Sequence, residues 1–162
     1  MSVENPWSTL AGLVILGAAM AFFATRRRRI TGKWKQGVEA FERGDMEVAV
    51  KAFRACLRNA PTWVPARRLL GRALAAAHRI DEAEQELRLA AKLEPRNPEG
   101  HLDFAIFLAR YAPDRADEAI DSLAEAVEHG PRLREQLAAI EPLAPLRDHP
   151  RFQALLSPPP LH

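Results

Sequence analysis

Histidine, cysteine and paired carboxylates are the side chains with which this sequence could do chemistry, and their spacing argues against it. The five histidines, His78, His101, His129, His149 and His162, never fall three or four apart, so no helix turn would offer two of them to one metal ion. Asp81/Glu82 and Asp117/Glu118 are adjacent acids, but each pair opens an apolar-periodic stretch. There the positive end of a helix dipole favours acid without any catalytic role. Ser122 has no neighbouring histidine to activate it. Cys56 is the single cysteine, which excludes an intrachain disulfide and a multi-cysteine metal knuckle; a small buried thiol is the expectation. No phosphate loop and no dinucleotide glycine pattern occurs. These residues predict no catalytic site, no metal and no cofactor. One pair suits recognition instead. Arg68 and Arg72 are four apart, so their guanidinium forks project from one side of a helix and could grip a carboxylate or an acidic peptide. The alternative is that both are surface arginines satisfied by their own neighbours.

The elements that would position such residues begin with an apolar run. From Trp7 to Ala24 no ionisable residue appears, and eighteen helical residues reach about 27 Å, close to the hydrocarbon core of a bilayer. Asn5-Pro6 could start that helix and Trp7 suits an interface. Arg26, Arg27, Arg28 and Arg29 follow at once. Basic flanks stay on the cytoplasmic side, so the expectation is a single-span anchor with a short outer N-terminus and the rest of the chain in the cytoplasm. A bacterial inner membrane or an organellar membrane would serve. A cleaved signal peptide would carry its positive charge before the apolar run, not after it, although Ala19-Met20-Ala21 resembles a cleavage site. A buried helix of a globular core would show a polar face, and none exists. Gly17 and Ala21 could let two anchors pack, which leaves a homo-oligomer open. The four arginines could also attract anionic lipid.

The net charge of +2 conceals an asymmetry: residues 26–35 carry six basic and no acidic side chains, whereas 36–162 hold 17 basic and 20 acidic ones. A nucleic-acid binder would more often spread basic charge over a folded face, so no nucleic-acid partner is expected.

Beyond the basic block the sequence echoes itself at thirty-four residues. Gly37, Ala49, Phe53, Cys56 and Pro61 are matched by Gly71, Ala83, Leu87, Ala90 and Pro95. Trp34, Val38 and Phe41 mark a first helix ending near Gly44-Asp45, and Val48 to Leu57 a second; Leu69 to Leu74 and Ala83 to Leu93 repeat the pair around a turn at His78-Arg79. A third, irregular copy has Ala105, Ala119, Leu123, Ala126 and Pro131, with a turn two residues longer. Leu133, Leu137 and Ile140 suggest one further helix as a cap.

These residues resemble the tetratricopeptide repeat. The resemblance covers about residues 30–131 and implies an all-α fold: a short helical-hairpin solenoid of about three repeats plus a C-terminal cap, behind one N-terminal transmembrane helix. The expected organisation is a flank over 1–6, an anchor over 7–25, and a basic juxtamembrane segment over 26–35 that enters the first repeat helix. Repeats follow over 30–63, 64–97 and 98–131, with capping helices over 132–157 and a tail over 158–162.

In that family the first helix of each repeat lines a concave groove. The resemblance assigns to it Trp34, Lys35, Val38 and Phe41, then Arg68, Leu69 and Arg72, then Leu102, Asp103 and Ile106. The clamp that holds chaperone tails uses lysine and asparagine where Trp34, Val38, Leu69, Glu99 and Asp103 stand here, which argues against that role. The implied function is an adaptor that holds a protein partner, as a peptide or single helix, at the cytoplasmic face of a membrane, with no covalent step. A structural subunit of a larger membrane complex and a receptor for incoming proteins are the rival readings.

Overall fold

Proline and small-residue spacing divide the chain into helices that pack in antiparallel pairs. The computed structural model describes Thr25, Arg28 and residues 30–157. The expected outer flank, the apolar run 7–24, Arg26, Arg27, Arg29 and the tail 158–162 lie outside the described residues. Among those described, no helix is long and apolar enough to cross a membrane.

Helix α1 covers residues 30–42. It is followed by α2 (Met46–Asn59), α3 (Val64–Ala76), α4 (Ile80–Leu93), α5 (Pro98–Tyr111) and α6 (Ala116–His129). Glu47, Asp81/Glu82 and Asp117/Glu118 occupy the first turns of α2, α4 and α6, where the dipole favours them. Pro65 and Pro98 sit at the starts of α3 and α5, positions whose missing N–H costs nothing. Asn97 caps α5 by accepting the Glu99 N–H.

Two turns show how the pair is bent. After α1 the Asp45 N–H donates to the Ala40 carbonyl and Gly44 N–H to Phe41; after α3 Arg79 N–H donates to Leu74 and His78 N–H to Ala75. Both are Schellman motifs, which need a left-handed residue. Gly44 supplies it with φ 83°, and His78 with φ 58°.

The small positions of the echo lie where helices touch. A Cβ on Gly37 would stand 2.6 Å from Cε1 of Phe53, and one on Gly71 2.5 Å from Cγ of Leu87. Each glycine therefore lets the large side chain one helix later press onto the backbone. In the third pair Ala105 takes that place and is fully buried. Ala49, Phe53, Cys56, Ala83, Leu87, Ala119 and Leu123 belong to a core that runs without a break from pair to pair, and Ala90 and Ala126 are fully buried. Cys56 is buried as expected, its thiol donating weakly to the Ile30 carbonyl at 3.6 Å, and burial pushes its pKa up against the smaller pull of Lys33.

The cap differs from the single helix expected through Leu133, Leu137 and Ile140. A 3₁₀ turn (Pro131–Leu133) leads into one α-turn, α7 (Arg134–Leu137), then a second 3₁₀ segment (Glu141–Leu146) and α8 (Pro150–Leu156). Pro142 lacks the N–H that would carry a helix past Ala138, and Ile140 ahead of it is extended with ψ 104°. The prolines thus break the cap into short pieces, while Leu137, Leu143, Leu146 and Phe152 keep it seated by burying completely or nearly so.

Candidate functional site

Among the described residues no three His, Cys, Asp or Glu side chains cluster as metal ligands, and attention falls on the concave face. Phe41 of α1, Arg68 and Arg72 of α3 and a face of α5 enclose a groove of about 550 Å³. Its floor is apolar. Ala75 and Ala76 keep α3 low, and Leu102, Ile106 and Phe107 of α5 fill the opposite side. The Tyr111 hydroxyl donates to the Ala75 carbonyl at 3.3 Å and ties the two helices together. Leu133 and Pro142 of the cap form the end wall.

The charges in this groove have unequal freedom. Arg68 Nε donates to Asp103 Oδ2 at 2.7 Å, and its Nη1 to Glu99. Both partners of the closer pair are largely withdrawn from water, with side chains 14% and 10% exposed. Burial pushes the Asp103 carboxyl up, with Arg68 pulling it back only in part. Burial also pulls Arg68 down, but Asp103 and Glu99 outweigh it and hold the guanidinium charged. Two carboxylates thus hold one charged guanidinium in a cluster. Its effect is to join α3 to α5.

Arg72 and Arg110 are different. Both are exposed. Arg72 lies over the Phe41 ring at 5.3 Å and Arg110 over the Tyr111 ring at 5.5 Å. Among the described residues neither has a carboxylate at ion-pair distance, so each guanidinium keeps its edge donors for another molecule while an aromatic face holds its plane.

The residues assigned to the groove from the resemblance therefore divide. Phe41, Arg68, Arg72, Leu102, Asp103 and Ile106 line it. Trp34 instead packs at 4.7 Å from Trp63 and 5.7 Å from Phe53, between the helices of the first pair. Val38 and Leu69 are half-buried against the core, and Lys35 is exposed beside Glu39 at 3.7 Å. Arg68 and Arg72 do not act as a matched pair, because Arg68 is already engaged. Of the basic block only Arg28 is described, and it is exposed. Arg110, Tyr111 and Phe107 were not foreseen. Arg110 stands four residues after Ile106 and so shares its helix face, a signal present in the sequence.

Residues 40–111 match the family model described as Tetratricopeptide repeat. Over that stretch the chain belongs to the tetratricopeptide repeat family. The match takes in α2 to α5, including three of the four helices that carry the paired glycine and large-residue contacts. No curated protein matches the chain at a significant level. The repeats belong to a fold that serves protein–protein interaction, and the groove sets two guanidinium groups over an apolar floor.

Proposed function

We propose that the protein is a membrane-anchored tetratricopeptide repeat scaffold that holds an acidic, amphipathic segment of a partner protein in its concave groove. One observation carries the reading of the groove: Arg72 and Arg110, each backed by an aromatic ring and, among the described residues, beyond ion-pair distance of any carboxylate, flank an apolar floor. An amphipathic segment would lay its apolar side on Leu102 and Ile106 and its acids on the two guanidinium groups. A basic amphipathic leader would meet like charge there, which counts against a receptor for such leaders. Support for the anchor comes from the sequence: no ionisable residue between Trp7 and Ala24, and four arginines from Arg26. On this reading the groove faces the cytoplasm.

The test is a crosslinked pull-down of the full-length protein from native membranes beside an Arg72→Glu/Arg110→Glu variant. Each reversal removes an attraction and adds a repulsion of up to about 1 kcal/mol, so the pair should weaken a groove partner by tenfold or more. Recovery of one partner by the wild type and its loss from the variant supports the groove. If the same companions return in equal amounts, the groove is not the binding surface and the structural-subunit reading replaces it.

A further inference from the structure

A second cleft lies on the other side of α1, where α1 meets the end of α2. Arg28, two positions before Ile30, together with Lys33 and Gln36 of α1, faces Arg58 and Asn59 of α2 across about 520 Å³, a volume in the usual range for small-ligand sites. No acidic residue lines it. Among the described residues none of the three cations stands at ion-pair distance from a carboxylate; Lys33 Nζ donates only to Gln36 Oε1, at 3.0 Å. The C-terminal end of α2 contributes a partial negative charge of about one half, far less than three full positive ones. Asn59 further reduces that repulsion by donating its amide to the Ala55 carbonyl at 3.1 Å.

A glycine gives a second, independent indication. Gly32 sits in the first described turn of α1, lines the cleft, and among the described residues has nothing within 4 Å of the place a Cβ would take. Glycine in a helix interior costs about 1 kcal/mol against alanine. At Gly37 and Gly71 that cost is offset by a close-packed neighbour, whereas at Gly32 no described residue uses the space. The gap lets something else approach the helix backbone among three cations.

The geometry points to an anionic-headgroup site, in which Lys33, Arg58 and Arg28 hold the phosphodiester of a membrane phospholipid against Gly32. Gln36 and Asn59 supply amide groups at its rim. The lipid source rests on the anchor reading above, since Arg28 follows the last residue of the apolar run by only four positions. The phosphate chemistry rests on the cleft alone. A seated headgroup would fix the base of the solenoid against the bilayer.

Native mass spectrometry of the full-length protein in non-ionic detergent tests this, with phosphatidylglycerol, phosphatidylcholine and inorganic phosphate as probes. The wild type should retain phosphatidylglycerol over phosphatidylcholine, and excess inorganic phosphate should not displace it. Lys33→Gln/Arg58→Gln should lose that preference at least fivefold. So should Gly32→Glu, which removes no cation and has room in the helix, while Gly32→Ala keeps it; circular dichroism of all variants should match the wild type. Unchanged preference in both charge variants overturns the site. Displacement by inorganic phosphate assigns the cleft to a soluble phosphate and overturns the lipid. Carbonate extraction of wild-type membranes separates the readings: a protein that stays in the pellet keeps its anchor even if the cleft variants bind lipid normally.

Discussion

At the scale of single residues, backbone conformation and contact distance make the sharpest demands. His78 holds the left-handed turn that Gly44 holds one repeat earlier, and a side chain there costs about 1 kcal/mol that glycine avoids. His78→Gly should therefore stabilise the protein by about 0.5–1 kcal/mol, and Gly44→Ala should destabilise it by about 1 kcal/mol, although nothing crowds that site. Thermal melts of the full-length variants should move in opposite directions, by about 2–4 °C per kcal/mol. A lower melting temperature for His78→Gly would mean that the imidazole makes a contact the turn needs. Gly71 answers to a different constraint. Its added methyl would strike Leu87 at Cγ and Cδ2 and come within 3.3 Å of the Leu87 backbone nitrogen, so neither rotamer change nor bending relieves it cheaply. Gly71→Ala should cost about 1–3 kcal/mol. In a Leu87→Ala background most of that cost should vanish, because the two positions share one contact; additive losses would refute the close packing.

At the scale of elements, ion pairs join successive second helices. Arg54 of α2 reaches Glu82 of α4, and Arg88 of α4 reaches Glu118 of α6 at 3.1 Å. Arg151 of α8 then reaches Asp117 at 2.7 Å and Asp121 at 2.5 Å. These side chains are half-exposed or exposed, so each pair is worth at most about 1 kcal/mol, and the burial of Phe152 decides whether α8 stays docked. Phe152→Ala should cost about 3–5 kcal/mol. Hydrogen exchange should show α8 and the Glu141–Leu146 segment opening first while α2 to α4 stay protected, since a solenoid transmits loss only to its neighbour; uniform deprotection would contradict that. The elements were legible because each glycine and its large partner recur at a fixed interval, and such a pattern survives reading in one dimension. The groove was less so. Asp103 falls one repeat and one residue beyond Arg68, so their pairing depends on how α3 and α5 lie side by side. Trp34 reads as a groove residue by its register, but Trp63, in the connection after α2, draws it into the seam of the first pair.

At the scale of the whole molecule, acid should loosen the seams between repeats together while relieving the groove. Glu82, Glu84 and Asp117 are all held below the usual carboxylate range, chiefly by side-chain hydrogen bonds from arginine; for Glu84, burial opposes those from Arg88 and Arg115. Each sits across a seam: Glu82 beside Arg54, Glu84 beside Arg115, Asp117 beside Arg151. A depressed folded-state pKa contributes stability that is present above the unfolded value, about 4, and is lost as pH falls through the folded one. Asp103 has the opposite sign. Burial raises its pKa, so its ionised form is a burden to the fold at neutral pH that eases as acid protonates it. Three seam acids and one buried groove acid thus oppose each other, and the seams win by number. The melting temperature should fall as pH drops from 5 to 3, and it should fall less in high salt, which already screens the exposed pairs. Glu84→Gln should flatten the fall, because that carboxylate serves two arginines on two repeats. Asp103→Asn should steepen it by removing an acid that gains from protonation. Equal slopes for the wild type and both variants would place the acid sensitivity elsewhere in the chain and remove the seams from the account.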